Sequence, residues 1–141
     1  MKKKYALYVE DSLDDIQLMR WLWEKAHFGY ELVIANDGEE AIKILVESDA
    51  AGSEDDLPHM IVLDNKMPNM TGLEVLRRVR SEARTKKLPV VMISQSVTED
   101  DIAEAYRLGA NDFIPKCANF NQFVQTLMPV IEYWLSSATR A

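Results

Sequence analysis

Short apolar runs rich in β-branched and aromatic residues alternate along this chain with longer stretches whose apolar residues recur every three or four positions. The run YALYV at residues 5–9 reads as a strand, and residues 14–26 read as a helix with Ile16, Met19, Trp23 and Ala26 on one face. ELVIA at 31–35 is a second strand, and Asn36-Asp37-Gly38 then turns into a helix over 39–47 with Ala41, Ile42 and Leu45 inward. Residues 49–59 are polar and acidic and read as a loop. MIVL at 60–63 is a third strand, 65–71 a loop containing Pro68, and 72–81 a helix with Leu73, Leu76 and Val79 inward. PVVMI at 89–93 is a fourth strand. Thr98 caps a helix over 98–108, with Asp101 three residues on as in a capping box, and Gly109 ends it. A short fifth strand at 112–114 leads to Asn119, which caps a final helix to about residue 136. Pro129 inside that helix removes a ladder bond and predicts a kink.

Strands alternating with helices predict an α/β fold, a doubly wound parallel sheet covered on both faces. MIVL and PVVMI lack polar alternation, as strands buried on both sides require. Five such units occupy the chain, so residues 1–141 are expected to form a single domain with no output domain.

Composition narrows the class. At 48% hydrophobic and 28% charged residues the chain reads as globular, and no stretch approaches the roughly 20 apolar residues of a membrane span. The basic start MKKK is followed almost at once by acids, so it lacks the apolar core of a secretory signal. One cysteine, Cys117, fits a reducing compartment, and a cytoplasmic protein is expected. The formal net charge of −7 argues against non-specific nucleic-acid binding. The cluster Arg77, Arg78, Arg80, Arg84, Lys86 and Lys87 reads as a solvated helix end and basic loop.

The polar residues fall at strand ends. Glu10 and Asp11 follow the first strand, Asp64 the third, Ser94 the fourth, and Lys116 lies just past the fifth. In a parallel sheet these ends share one edge, which forms the ligand crevice of open α/β folds. Each pair of carboxylates about 4 Å apart would repel by roughly 4 kcal/mol at an effective dielectric of about 20. A hard divalent cation such as Mg²⁺ relieves this, and cation, ammonium and hydroxyl together stabilise a phosphoryl group in transfer. Asp64 is then a candidate nucleophile. Taken singly, each residue has a duller reading as a cap, a turn or a surface lysine; their common location carries the signal.

The segments YVEDS, VLDNKMPNMTG, VVMIS and GANDFIPK, in this order and spacing, resemble the receiver domains of bacterial two-component response regulators. The resemblance covers essentially the whole chain. The last helix, with EYWL near its end, resembles the single-domain subgroup paired with cyanobacterial phytochromes. The resemblance implies a flavodoxin-like (βα)5 fold with strand order 2-1-3-4-5. It implies that Asp64 accepts a phosphoryl group from a histidine kinase or histidine phosphotransfer protein, and that Mg²⁺ is held by Asp11, Asp64, the backbone carbonyl of Lys66, and Glu10 directly or through water. Lys116 and Ser94 would contact the phosphoryl oxygens, and Phe113 would rotate inward behind Ser94 as a switch. The implied activity is that of a phosphoacceptor with self-catalysed transfer and dephosphorylation, not an enzyme acting on a separate substrate. Output would pass through the face formed by residues 98–108, 112–114 and 119–136, with a homodimer as one form of it.

Three positions depart from the family pattern. Cys117 stands where the family has a cis-proline; a cis bond before another residue costs about 3 kcal/mol, which would favour trans and re-aim Lys116. Gln95 replaces a small residue, and Lys66 adds a cation beside the pocket. Leu18 and Leu22 on the first helix are candidate docking contacts for the partner, with core burial as the competing reading. Trp21 points away from the apolar face, as an interface residue or packed on a neighbouring loop. His27 and His59 read as surface residues. A haloacid-dehalogenase-like phosphatase would place a second Asp where Lys66 stands, and no nucleotide-binding glycine motif occurs. A receiver-like module that is never phosphorylated is the other rival.

Overall fold

The computed structural model describes residues 4–47, 57–95, 97–116 and 119–139. Five strands, β1 (Tyr5–Val9), β2 (Glu31–Ala35), β3 (Met60–Asp64), β4 (Val90–Ser94) and β5 (Asp112–Pro115), form one parallel sheet in the order β2-β1-β3-β4-β5. The connecting helices are α1 (Leu13–Ala26), α2 (Gly38–Ile42), α3 (Gly72–Ser81), α4 (Glu99–Arg107) and α5 (Phe120–Thr139). The doubly wound order expected from the resemblance is therefore present.

Alternation along each strand divides the interior into two cores. Leu7, Val9, Ile61, Leu63 and Met92 face Ala41, Ile42, Leu45, Val75, Leu76, Val79 and Ala105 from α2 to α4 and the turn after α2. Ala6, Tyr8, Val62, Val91 and Ile93 face Ile16, Met19, Leu22 and Trp23 of α1 and Phe123, Leu127, Ile131 and Leu135 of α5. With both faces covered, the middle strands β1, β3 and β4 are buried at every position.

The helix starts follow the capping chemistry in the sequence. Ser12, Asp37, Thr71 and Thr98 each accept a backbone N–H from the first turn of their helix, and Thr71 with Glu74 closes a full capping box. Gly109, at φ +107°, supplies the left-handed turn that ends the α4 region.

As expected, α5 continues through Pro129. Three local expectations are corrected. The helix over 39–47 is α-helical only to Ile42 and continues as a π-helical stretch over Lys43–Glu47. Arg80 is not solvated: its guanidinium donates to the carbonyls of Lys86, Leu88 and Gly109 and to Asn111 Oδ1, at 2.7–3.0 Å. His59 is half-buried, its ring 5.1 Å from that of Tyr30, although His27 is exposed as expected. The acidic loop at 49–56 and the Lys116–Cys117 peptide, with its cis or trans geometry, lie outside the described residues.

Candidate functional site

Strand register gathers the predicted residues. Val9 pairs with Leu63, Asp64 with Ile93, and Ser94 with Pro115, so Glu10, Asp64, Ser94 and Lys116 step across one edge of the sheet. Gly72 permits the close approach of α3 to this edge. A Cβ there would lie 2.8 Å from Asn65 Cα and closer still to the Asp64 carbonyl oxygen, so a larger residue would push the helix off the end of β3.

Glu10, Asp64 and Ser94 are buried at 0–1% exposure, whereas Asp11 is exposed. Glu10, Asp11 and Asp64 each place one carboxylate oxygen within 4.8 Å of the others. Lys116 answers this charge from the end of β5: its Nζ lies 3.0 Å from Glu10 Oε1, 2.9 Å from Asp64 Oδ1 and 2.8 Å from Asp15 Oδ2. The contacts to Glu10 and Asp15 are aligned hydrogen bonds. Asp64 Oδ1 accepts no aligned hydrogen bond among the described residues, although the ammonium is within ion-pair distance. Glu10 is further fixed by the Tyr8 hydroxyl, which donates to Oε1 at 2.9 Å, and by the Ser12 N–H, which donates to Oε2.

Burial dominates the electrostatics. It raises the Glu10 pKa, with help from the Asp64 charge, to about 7 despite Lys116. Burial also raises Asp64, opposed mainly by Lys116. Burial alone would depress Lys116, but its close contacts with Asp15 and Asp64 and the charges of Glu10 and Asp64 outweigh it and raise its pKa. A cluster of hard oxygen donors, one of them buried without an aligned donor, fits a hard divalent cation.

Of the other predicted residues, Phe113 is packed in the core and pairs across the sheet with Met92. The Lys66 side chain is exposed in the loop after β3. Leu18, Met19 and Leu22 of α1 and Phe123, Val124 and Leu127 of α5 line a groove of about 350 Å³, which Asp15, Gln95 and Lys116 also line. Leu18 is half-buried, but Leu22 is 2% exposed, so burial decides its role: it is core that lines the groove, not a free surface contact. Trp21 is 45% exposed, with its ring 5.3 Å from that of Phe120 at the start of α5.

Asp15 was missed in the sequence. As an acid in the first turn of α1 it reads as favourable to the helix dipole. Its only chemical signal is its position one helical turn beyond Asp11, on the same side as the strand end.

The family model described as the response regulator receiver domain matches residues 6–128. Response regulator Rcp1 of Synechocystis sp. is 29% identical over 136 residues, 96% of this chain and 92% of that protein. The crystal structure of the phosphorylated cyanobacterial phytochrome response regulator RcpA superposes with a TM-score of 0.83 at 35% identity, covering 97% of this chain and 96% of that one. The Mn(2+)-bound form of Rcp1 gives 0.82 at 29% identity, covering 94% of each. Fold, strand-edge carboxylates and these likenesses agree: the chain belongs to the response regulator receiver domain family and serves phosphorelay signalling, supplied by a phosphodonor such as a histidine kinase.

Proposed function

We propose that Asp64 is the phosphoacceptor. The observation that carries this reading is a buried carboxylate with an ammonium 2.9 Å away and two further acids within 4.8 Å, at the carboxyl edge of a parallel sheet. An Asp64 oxygen attacks the phosphorus of a phosphohistidine on a kinase or phosphotransfer protein. A P–O bond forms, the P–N bond breaks, and its electron pair returns to the imidazole nitrogen, which takes a proton. Lys116 and the Ser94 hydroxyl bind the charge on the phosphoryl oxygens. Glu10, Asp11, Asp64 and the backbone carbonyl of Lys66 would hold Mg²⁺, which would supply further positive charge against those oxygens. The same groups serve water-driven loss of the phosphoryl group, so the domain limits its own signal.

Ser94 and the Phe113 ring behind it couple the site to the face formed by α4, β5 and α5, where a protein partner or a second copy docks. The phosphodonor engages α1 through Leu18 and the exposed Trp21, with Leu22 supporting them from below. The net charge of −7 speaks against nucleic acid as the partner, and among the described residues no helix is long and apolar enough to cross a membrane. A cytoplasmic, single-domain regulator acting by protein contact is the reading these features support. Incubation with acetyl phosphate and Mg²⁺ followed by intact mass tests it. Wild type should gain one phosphoryl group, and Asp64→Asn none; labelling of the Asn variant would overturn the assignment.

A further inference from the structure

Three of the carboxylates at this site compete for one ammonium. Lys116 has three N–H donors, and oxygens of Asp15, Asp64 and Glu10 lie within 3.0 Å of it. The aligned hydrogen bonds go to Asp15 and Glu10, not to Asp64. Asp15 is not part of the acidic cluster formed by Glu10, Asp11 and Asp64. It reaches Lys116 from α1, where its own N–H is fixed on the Ser12 cap. Its side chain is 33% exposed and that of Lys116 14%, so the contact sits at the wall of the groove and not in the core.

We propose that Asp15 is a positioning residue that holds Lys116 in the resting state and opposes its engagement with a phosphoryl group on Asp64. The inference rests on the reading of Asp64 as phosphoacceptor. A phosphoryl group brings up to about two negative charges and strong acceptor oxygens to the site. Lys116 must turn a donor toward them, and Asp15 both retains that donor and repels the new charge. Loss of Asp15 does not leave the lysine loose, because Glu10 still holds it at 3.0 Å. Removing the Asp15 charge therefore favours the phosphoryl-bound state.

The test is a beryllofluoride titration in Mg²⁺, followed by the bound fluorine NMR signal, on wild type, Asp15→Asn, Asp15→Glu and Asp14→Asn. Asp15→Asn should bind the mimic about three- to tenfold more tightly, the effect of one partly screened charge contact. Asp15→Glu, which keeps the charge, should stay close to wild type. Asp14, an exposed acid one residue away, reports general charge, and Asp14→Asn should change little. Equal or weaker binding by Asp15→Asn overturns the proposal, as does an equal gain in Asp14→Asn, which would assign the effect to net charge instead of the lysine. Absence of binding by all four proteins would instead overturn the phosphoacceptor reading itself.

Discussion

Replacing Asp64 by Asn should stabilise the protein in the absence of divalent metal. The carboxylate is 1% exposed, and its pKa is raised by burial even with Lys116 alongside, so the folded protein favours a neutral group there. At an effective dielectric of about 20, repulsion across 4.8 Å is about 3.5 kcal/mol, and attraction across the 2.9 Å contact to Lys116 is about 6 kcal/mol. The variant loses that attraction, but Lys116 keeps the hydrogen bonds it already donates to Glu10 and Asp15 and is not left unpaired. The desolvation of a buried carboxylate, several kcal/mol, then decides the sign. The expected net gain is about 1–3 kcal/mol. Urea melts in EDTA at neutral pH measure it, with the m-value checked for constancy. With millimolar Mg²⁺ the wild type should gain stability by mass action while the variant gains little. An unchanged or lower midpoint for Asp64→Asn in EDTA would refute the reasoning, since Lys116 would then more than compensate the buried charge.

Glu10 makes metal-free stability depend on pH. Its pKa rises from an ordinary 4.5 to about 7 on folding, so its contribution is fully present below pH 4.5 and is lost as pH rises toward 7. The stability of wild type relative to Glu10→Gln should therefore fall across that window in EDTA; a flat difference would contradict it. Arg80→Ala strips the donors from three backbone carbonyls and should cost about 2–4 kcal/mol. Arg80→Lys should recover less than half, because a single ammonium cannot span both loops, and a Lys variant with a midpoint close to wild type would count against this. Gln95 is exposed and lines the groove beside Lys116, and we propose that it screens the approach to Asp64. Gln95→Ala should speed acetyl phosphate labelling and subsequent hydrolysis about tenfold each, about 1.4 kcal/mol of barrier; unchanged rates would put its amide outside that approach.

The sheet was legible because its signals are local. A fully apolar MIVL or VVMI can be satisfied only between two helical layers, and Thr98 and Asn119 mark helix starts by side chains that reach no farther than three residues. The site followed because topology, not sequence proximity, gathers strand ends. What escaped was chemistry that depends on the aim of one long side chain. Arg80 sits in a run of basic residues that reads as solvated, and nothing local distinguishes the one whose guanidinium bridges the segments before β4 and before β5. Leu22 lies between positions read as inward and outward, so its face was ambiguous until α5 packed over it.

Lys116 shows why the carboxylates tolerate one another here. An ammonium with three donors pairs with both buried acids, and Asp15 adds a partner from the first turn of α1. The repulsion is therefore partly offset across β1, β3, β5 and α1 without every lone pair being satisfied. Among the described residues Asp64 Oδ1 accepts no aligned hydrogen bond, so its lone pairs are open to a cation or an electrophile. A fully satisfied Asp64 would have made a more stable resting domain and a poorer nucleophile, since each hydrogen bond to a carboxylate lowers its basicity. Site and stability thus pull in opposite directions at one atom, and the sign of the Asp64→Asn effect measures which of them the sequence has favoured.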